Sequence, residues 1–180
     1  MPTKMLMTLE EFDALPPQEG VRYELLEGKL LMLASPMYYH QEICTRMIGK
    51  LFEYCQTHGG AVNHNTDFKL ANGSILAPDV FYMTPESLSR LDKHRRNEGA
   101  PDLCIEIWSP SNERDTEDLH RKAHVYLESG ARAVWLIYPE PRHALIYKPG
   151  QPIEVRDDSQ RLEDDTILPG FSVKLGEVLG

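Results

Sequence analysis

Two acidic side chains stand inside apolar, strand-like runs, and they restrict the fold more than any other feature of the chain. The first run is Ser74-Ile-Leu-Ala-Pro-Asp-Val-Phe-Tyr-Met83. Side chains alternate between the faces of a strand. Ile75, Ala77, Asp79, Phe81 and Met83 would therefore share one face, and Leu76, Pro78, Val80 and Tyr82 the other. Both faces are apolar, as in a strand covered on both sides, yet Asp79 lies mid-run. The second run, Asp102-Leu-Cys-Ile-Glu-Ile-Trp108, repeats the anomaly: Leu103, Ile105 and Ile107 share one face, Cys104, Glu106 and Trp108 the other. A buried carboxylate without a partner is strongly destabilising, and two on adjacent strands also repel each other. A divalent cation between them removes both problems, and hard oxygen ligands suit Mg²⁺ or Mn²⁺. The alternative is a shared proton, or an arginine clamp from Arg22 or Arg132.

The helix that follows carries a third anomaly. Leu119, Ala123, Tyr126 and Leu127 mark its apolar face at 3.6-residue spacing, and Lys122 falls on that same face. An inward ammonium beside two metal-bound carboxylates would orient or activate a water and offset charge on a phosphate. A lysine snorkelling at the helix edge is the alternative. Glu24, between Tyr23 and Leu25 in a strand-like segment, and His40, at a helix start, are further candidates for the same cleft, although a histidine at a helix start often has a structural role.

The surrounding pattern predicts a mixed α/β (α+β) fold in one domain over residues 1–180, with an N-terminal helix and hairpin. Thr8-Leu-Glu-Glu11 is a capping box opening a helix to about Leu15, stopped by Pro16-Pro17. Residues 22–33 read as a hairpin turning at Glu27-Gly28. Residues 39–58 form a long helix ended by Gly59-Gly60. Strands follow over 61–70 and 74–83, joined at Asn72-Gly73. Residues 84–99 read as a loop with a helical turn at 85–91. After the strand 102–108 and the loop 109–112 come a helix over 115–129, a buried strand over 133–138, its hairpin partner over 144–148, and a tail of short strand-like pieces over 153–180. Cys44, Cys55 and Cys104 are odd in number and lack a CxxC pair, which argues against a disulfide framework or structural zinc; they read as small buried hydrophobes. With no apolar run long enough to span a membrane and no signal-like start, a cytoplasmic protein is expected.

Read in order, Tyr23-Glu-Leu-Leu-Glu-Gly28, His40-Gln41, Ala77-Pro-Asp-Val80, Pro101-Asp-Leu-Cys-Ile-Glu106, Ser109-Pro-Ser111, Arg121-Lys122, Tyr126 and Ala133-Val-Trp-Leu-Ile137 resemble the Uma-two family endonucleases of bacteria, within the PD-(D/E)XK nuclease superfamily. The resemblance runs from Thr8 to Leu168-Pro-Gly170. It implies a restriction-endonuclease-like core, a central mixed sheet flanked by helices. It also implies a catalytic site at Asp79, Glu106 and Lys122, with Glu24 and His40 as companions. In the superfamily pattern the lysine stands two residues after the acid; here that position is Trp108, and the resemblance places the lysine in the next helix, at Lys122. Pro101-Asp102 is a second PD pair, but at a strand start, where its carboxylate can stay solvated.

The expected reaction is Mg²⁺-dependent (or Mn²⁺-dependent) hydrolysis of DNA phosphodiester bonds, the metal held by Asp79, Glu106 and the backbone carbonyl of Ile107. Lys93, Arg95 and Arg96, with His94 among them, would touch the DNA backbone, unless they form an ordinary solvated loop. Trp108 is more readily a core indole than a base-stacking platform. A homodimer would cut both strands, but no residue argues for one. The formal net charge of -9 opposes strong sequence-independent DNA binding. That charge and Trp108 favour a first rival, a catalytically inactive nuclease-fold module for DNA binding or assembly. A second rival is a metal-dependent hydrolase of a smaller phosphoester.

Overall fold

The computed structural model describes residues 6–109 and 116–180. The Thr8 box caps α1 (Leu9–Asp13): the Glu11 N–H donates to the Thr8 hydroxyl and the Thr8 N–H to Glu11 Oε2. Strands β1 (Val21–Leu26) and β2 (Lys29–Ala34) form the hairpin. Both turn residues, Glu27 and Gly28, have positive φ, as a two-residue turn matched to strand twist requires. The long helix α2 (Tyr38–His58) follows.

The next segment departs from expectation. Each of the two strands expected over 61–70 and 74–83 is broken in two. The pieces are β3 (Ala61–Asn63), β4 (Phe68–Lys69), β5 (Ile75–Leu76) and β6 (Val80–Met83). β4 and β5 pair in one sheet and β3 and β6 in another, so both arms bend and pass from sheet to sheet. Pro78 supplies no N–H to a ladder, and its carbonyl instead accepts from Asn65 N across the bend. The alternation read from the sequence fails here: Leu76 packs in the same cluster as Phe81 and Met83, while Ile75 joins a different one.

After α3 (Pro85–Ser89), the stretch expected to be a loop contributes a short strand, β7 (Asn97–Glu98), parallel to β4. Then come β8 (Leu103–Ile107), α4 (Thr116–Glu128), β9 (Ala133–Tyr138) and β10 (His143–Tyr147). The expected loop over 110–112 and the helix start at 115 lie outside the described residues. The tail forms β11 (Glu154–Asp157), β12 (Arg161–Glu163), β13 (Ser172–Lys174) and, unanticipated, a terminal helix α5 (Leu175–Leu179) that packs on α2.

In place of one central sheet there are two larger ones, ordered β2-β1-β5-β4-β7 and β11-β10-β9-β8-β6-β3, plus the β12-β13 pair. The six-stranded sheet is mixed: β8 and β9 run parallel and its other neighbours antiparallel. One face, with Leu103, Ile105, Ile107 and Trp135, packs on α2 and α5. The other, with Cys104, Val134 and Leu136, packs on α4 and the five-stranded sheet. Arg121 forks onto Glu27, pinning α4 to the hairpin turn and drawing the Glu27 carboxyl below its usual range. All three cysteines are free, and no helix among the described residues is long and apolar enough to cross a membrane.

Gly60 tests the entry into β3. Its φ is +79°, and an added Cβ would lie 2.5 Å from the Met83 carbonyl oxygen and 2.6 Å from the Tyr82 hydroxyl. Gly60→Ala should destabilise by roughly 2 kcal/mol or more. Gly49→Ala, in the exposed interior of α2 with nothing nearby, should stabilise by about 0.5–1 kcal/mol. Urea denaturation of both variants checks the contrast; equal effects would contradict it.

Candidate active site

The space between α4 and the two sheets holds the charged groups singled out in the sequence. On β1, Arg22, Glu24 and Leu26 share the face turned toward the six-stranded sheet, since Leu26 packs in the cluster with Cys104 and Tyr126. Glu24 is fully buried; Glu106 is 3 % exposed and Lys122 6 %. Lys122 Nζ lies 2.5 Å from Glu24 Oε2 and 3.7 Å from Glu106 Oε1. The Tyr126 hydroxyl, one turn further along α4, donates to Glu106 Oε1 at 2.8 Å. Lys122 therefore points inward and does not snorkel.

Asp79 sits at the bend between β5 and β6, not mid-strand. Its Oδ2 accepts from the Ile107 N–H at 2.9 Å, which ties the bend to the strand that carries Glu106. The same oxygen lies 3.1 Å from Nε2 of His40, which is buried in the first turn of α2. Arg22 bridges the two halves of the cluster, its Nη2 3.3 Å from Glu24 Oε1 and 3.9 Å from Asp79 Oδ1. Asp79, Glu106, Lys122, Glu24 and His40 thus form one connected network with Arg22 and Tyr126.

The two central acids are driven apart electrostatically. Burial is the largest influence on Glu106, with the charges of Asp79 and Glu24 adding to it; together they outweigh Lys122 and Tyr126 and push its pKa up to about 8. Burial also opposes ionisation of Asp79, but the His40 hydrogen bond and charge, the Ile107 N–H and Arg22 hold it below the usual carboxylate range. Desolvation works against the charged form of Lys122, yet Glu106 and Glu24 hold its pKa above the ordinary lysine value. His40 is likewise pulled down by burial and raised overall by Asp79. The cluster thus contains a fixed anion, Asp79, and an acid neutral near pH 7, Glu106.

Of the two arginines considered as a clamp, Arg22 is in the cluster; Arg132 is exposed and donates to the Thr166 carbonyl. Asp102 differs from its sequence reading. It is buried, not solvated, and accepts from the Thr84 N–H and the Thr84 and Ser87 hydroxyls at the start of α3. It stays outside the network. Lys93, Arg95 and Arg96 precede the edge strand β7; Lys93 is exposed, Arg95 lies near Asp92, and Arg96 pairs with Asp13. None of the three joins the acids. Sequence reasoning gave Tyr126 only a packing role. Its spacing from Lys122, one helical turn on the same face, was the available signal.

The donor set suits a small hard cation. Among the described residues no three His, Cys, Asp or Glu side chains converge to hold an ion alone. Mg²⁺ does not require this, since it commonly takes one or two carboxylates and keeps several waters. Among the described residues, Asp79 Oδ1 lies 3.9 Å from Arg22 Nη2, and the Lys122 and Tyr126 contacts to Glu106 use Oε1. A cavity of about 320 Å³ opens beside Asp79, His40 and Arg22.

A family model described as "Putative restriction endonuclease", Uma2, matches residues 9–176. Among solved structures, a crystal structure of "a putative nuclease belonging to DUF820" from Anabaena variabilis superposes with a TM-score of 0.83. It is 22 % identical in sequence, and the match covers 96 % of this chain and 97 % of that one. At this identity the likeness is one of fold, and with the family match it identifies the mixed α/β architecture as restriction-endonuclease-like. No curated protein matches the chain.

A pH series tests the electrostatics. A carboxyl whose folded pKa exceeds its ordinary 4.5 contributes stability that is full below that value and lost as pH rises through about 8. His40, also raised, acts with the same sign. Metal-free protein should therefore lose stability across that window. Glu106→Gln, which cannot ionise, should remove the Glu106 part of the slope. Superimposable denaturation profiles in EDTA would contradict the assignment.

Proposed function

The chain belongs to the Uma2 family of putative restriction endonucleases, and from that premise we propose that it is a cytoplasmic, Mg²⁺-dependent endonuclease that hydrolyses DNA phosphodiester bonds, with Mn²⁺ able to replace Mg²⁺. One domain over residues 1–180 carries the site. The observation that carries this reading is the buried network in which Asp79, Glu106 and Lys122 meet, with a cavity beside it.

In this reading Asp79 and Glu106 hold the ion, with the Ile107 carbonyl as a main-chain ligand. When bound, the ion supplies a water of lowered pKa and neutralises charge on the scissile phosphate. Glu106 would hold an ion only as the carboxylate, so its raised pKa would couple ion binding to proton release. Lys122 stays charged near neutral pH and therefore acts as a donor and a fixed positive charge, not as a general base. Glu24 holds its ammonium toward Glu106. His40 orients the Asp79 carboxylate through Oδ2. Arg22 lines the cavity, where its guanidinium offers a positive charge to a phosphate oxygen; its Nε is buried with no hydrogen-bond partner among the described residues. Lys122 beside Glu106 is also what favours a cutting site over a non-cutting nuclease-fold module.

Plasmid nicking in Mg²⁺ checks the proposal. Asp79→Asn and Glu106→Gln should each lower the rate on the order of a thousandfold, and Lys122→Met at least about a hundredfold, with circular dichroism unchanged. Wild type and Asp79→Asn nicking at the same rate would remove the reading. Turnover of a small phosphodiester with no DNA affinity at low salt would indicate the smaller-substrate hydrolase instead.

A further inference from the structure

Beside the cavity at Asp79 and Arg22 lies a second one of about 530 Å³, of different character. Its walls include Met37, Tyr38, Tyr39, Trp108, Pro139 and Glu140, and it shares His40 and Ser109 with the first cavity. His40, which contacts Asp79 on one side, therefore forms part of an apolar, aromatic wall on the other. Tyr38 is 80 % exposed and Met37 58 %, large apolar surface for a protein to leave in water at the mouth of a polar site. Met37, the residue preceding the 21-residue α2, makes no side-chain cap among the described residues, and the first turn of that helix lines the cleft.

We propose that this cleft takes an unpaired nucleobase next to the scissile phosphate, so that the substrate is DNA whose bases are unstacked or single-stranded at the cut. The inference rests on the nuclease reading and narrows its substrate class. Three observations select this occupant. The cleft and the cavity at Asp79 share His40 and Ser109, so a base and its own phosphate can lie on either side of these two residues. Its aromatic residues offer π-faces, which bind bases without needing positive charge. The formal net charge of -9, with Arg95 and Arg96 close to carboxylates, leaves weak means of gripping a duplex backbone. Glu140 on the wall can accept from an exocyclic amino group, as carboxylates do from cytosine.

The test measures binding, not cutting, so that it stands apart from the nuclease reading. Labelled single-stranded oligo-dT and a blunt duplex of equal length are titrated by anisotropy with Ca²⁺ replacing Mg²⁺. The strand should bind more tightly than the duplex. Tyr38→Ala should weaken strand binding about tenfold, the effect of losing one base–aromatic stack, while Tyr38→Phe should bind within about twofold of wild type. Strand binding should also quench tryptophan emission through Trp108, since Trp135 is fully buried. Equal or tighter duplex binding, unchanged strand affinity in Tyr38→Ala, or unquenched emission would each overturn the inference. Duplex cleavage alongside any of these would leave the nuclease reading standing. A protein that passes every binding arm yet cuts nothing would keep the base-binding cleft and remove the nuclease reading.

Discussion

Three carboxylates and three basic side chains share the space between the two sheets, and their mutual neutralisation governs what the surrounding elements must do. β1 supplies Arg22 and Glu24, the β5–β6 bend supplies Asp79, β8 supplies Glu106, α2 supplies His40, and α4 supplies Lys122 and Tyr126. Removing one partner would strand a charge in an apolar interior, a large penalty. The cluster therefore holds five separate segments in register. It also explains why the chain between β3 and β6 is bent: the bend brings Asp79 to the Ile107 N–H, beside Glu106.

Without a metal the charges balance only because one acid stays protonated. Lys122 and Arg22 offset two negative charges, and the third acid, Glu106, is kept neutral by burial and by its acidic neighbours. One carboxylate held ionised beside one held protonated is a recurrent device for dividing roles between two chemically similar groups. Here the protonated acid stands where a cation would replace its proton. The two neighbouring cavities, one lined by Arg22 and the other by Tyr38, would give a phosphate and its base separate places.

Much of this was legible in the sequence because burial of charge is visible as an acid inside an apolar run. Asp79 and Glu106 stood out for that reason, and Lys122 because it interrupts the apolar face of its helix. The face pattern of β8 is as the alternation indicated, with Leu103, Ile105 and Ile107 together. What was not legible depends on tertiary placement. Alternation over 74–83 could not show that Pro78 splits the run between two sheets. Arg22 could be named only as one of two arginines, because no local pattern distinguishes a guanidinium near Glu24 from one at the surface. The solvated reading of Asp102 failed because Thr84 and Ser87, far from it in sequence, supply its donors. β7 and α5 are too short for periodicity to reveal.

Crystals soaked in Mn²⁺ would reveal whether a divalent cation seats between Asp79 and Glu106. An anomalous peak is expected within coordination distance of a carboxylate oxygen of each residue, absent from crystals of Asp79→Asn. A peak elsewhere, or no peak with the Arg22 guanidinium lying between the two carboxylates, would contradict it.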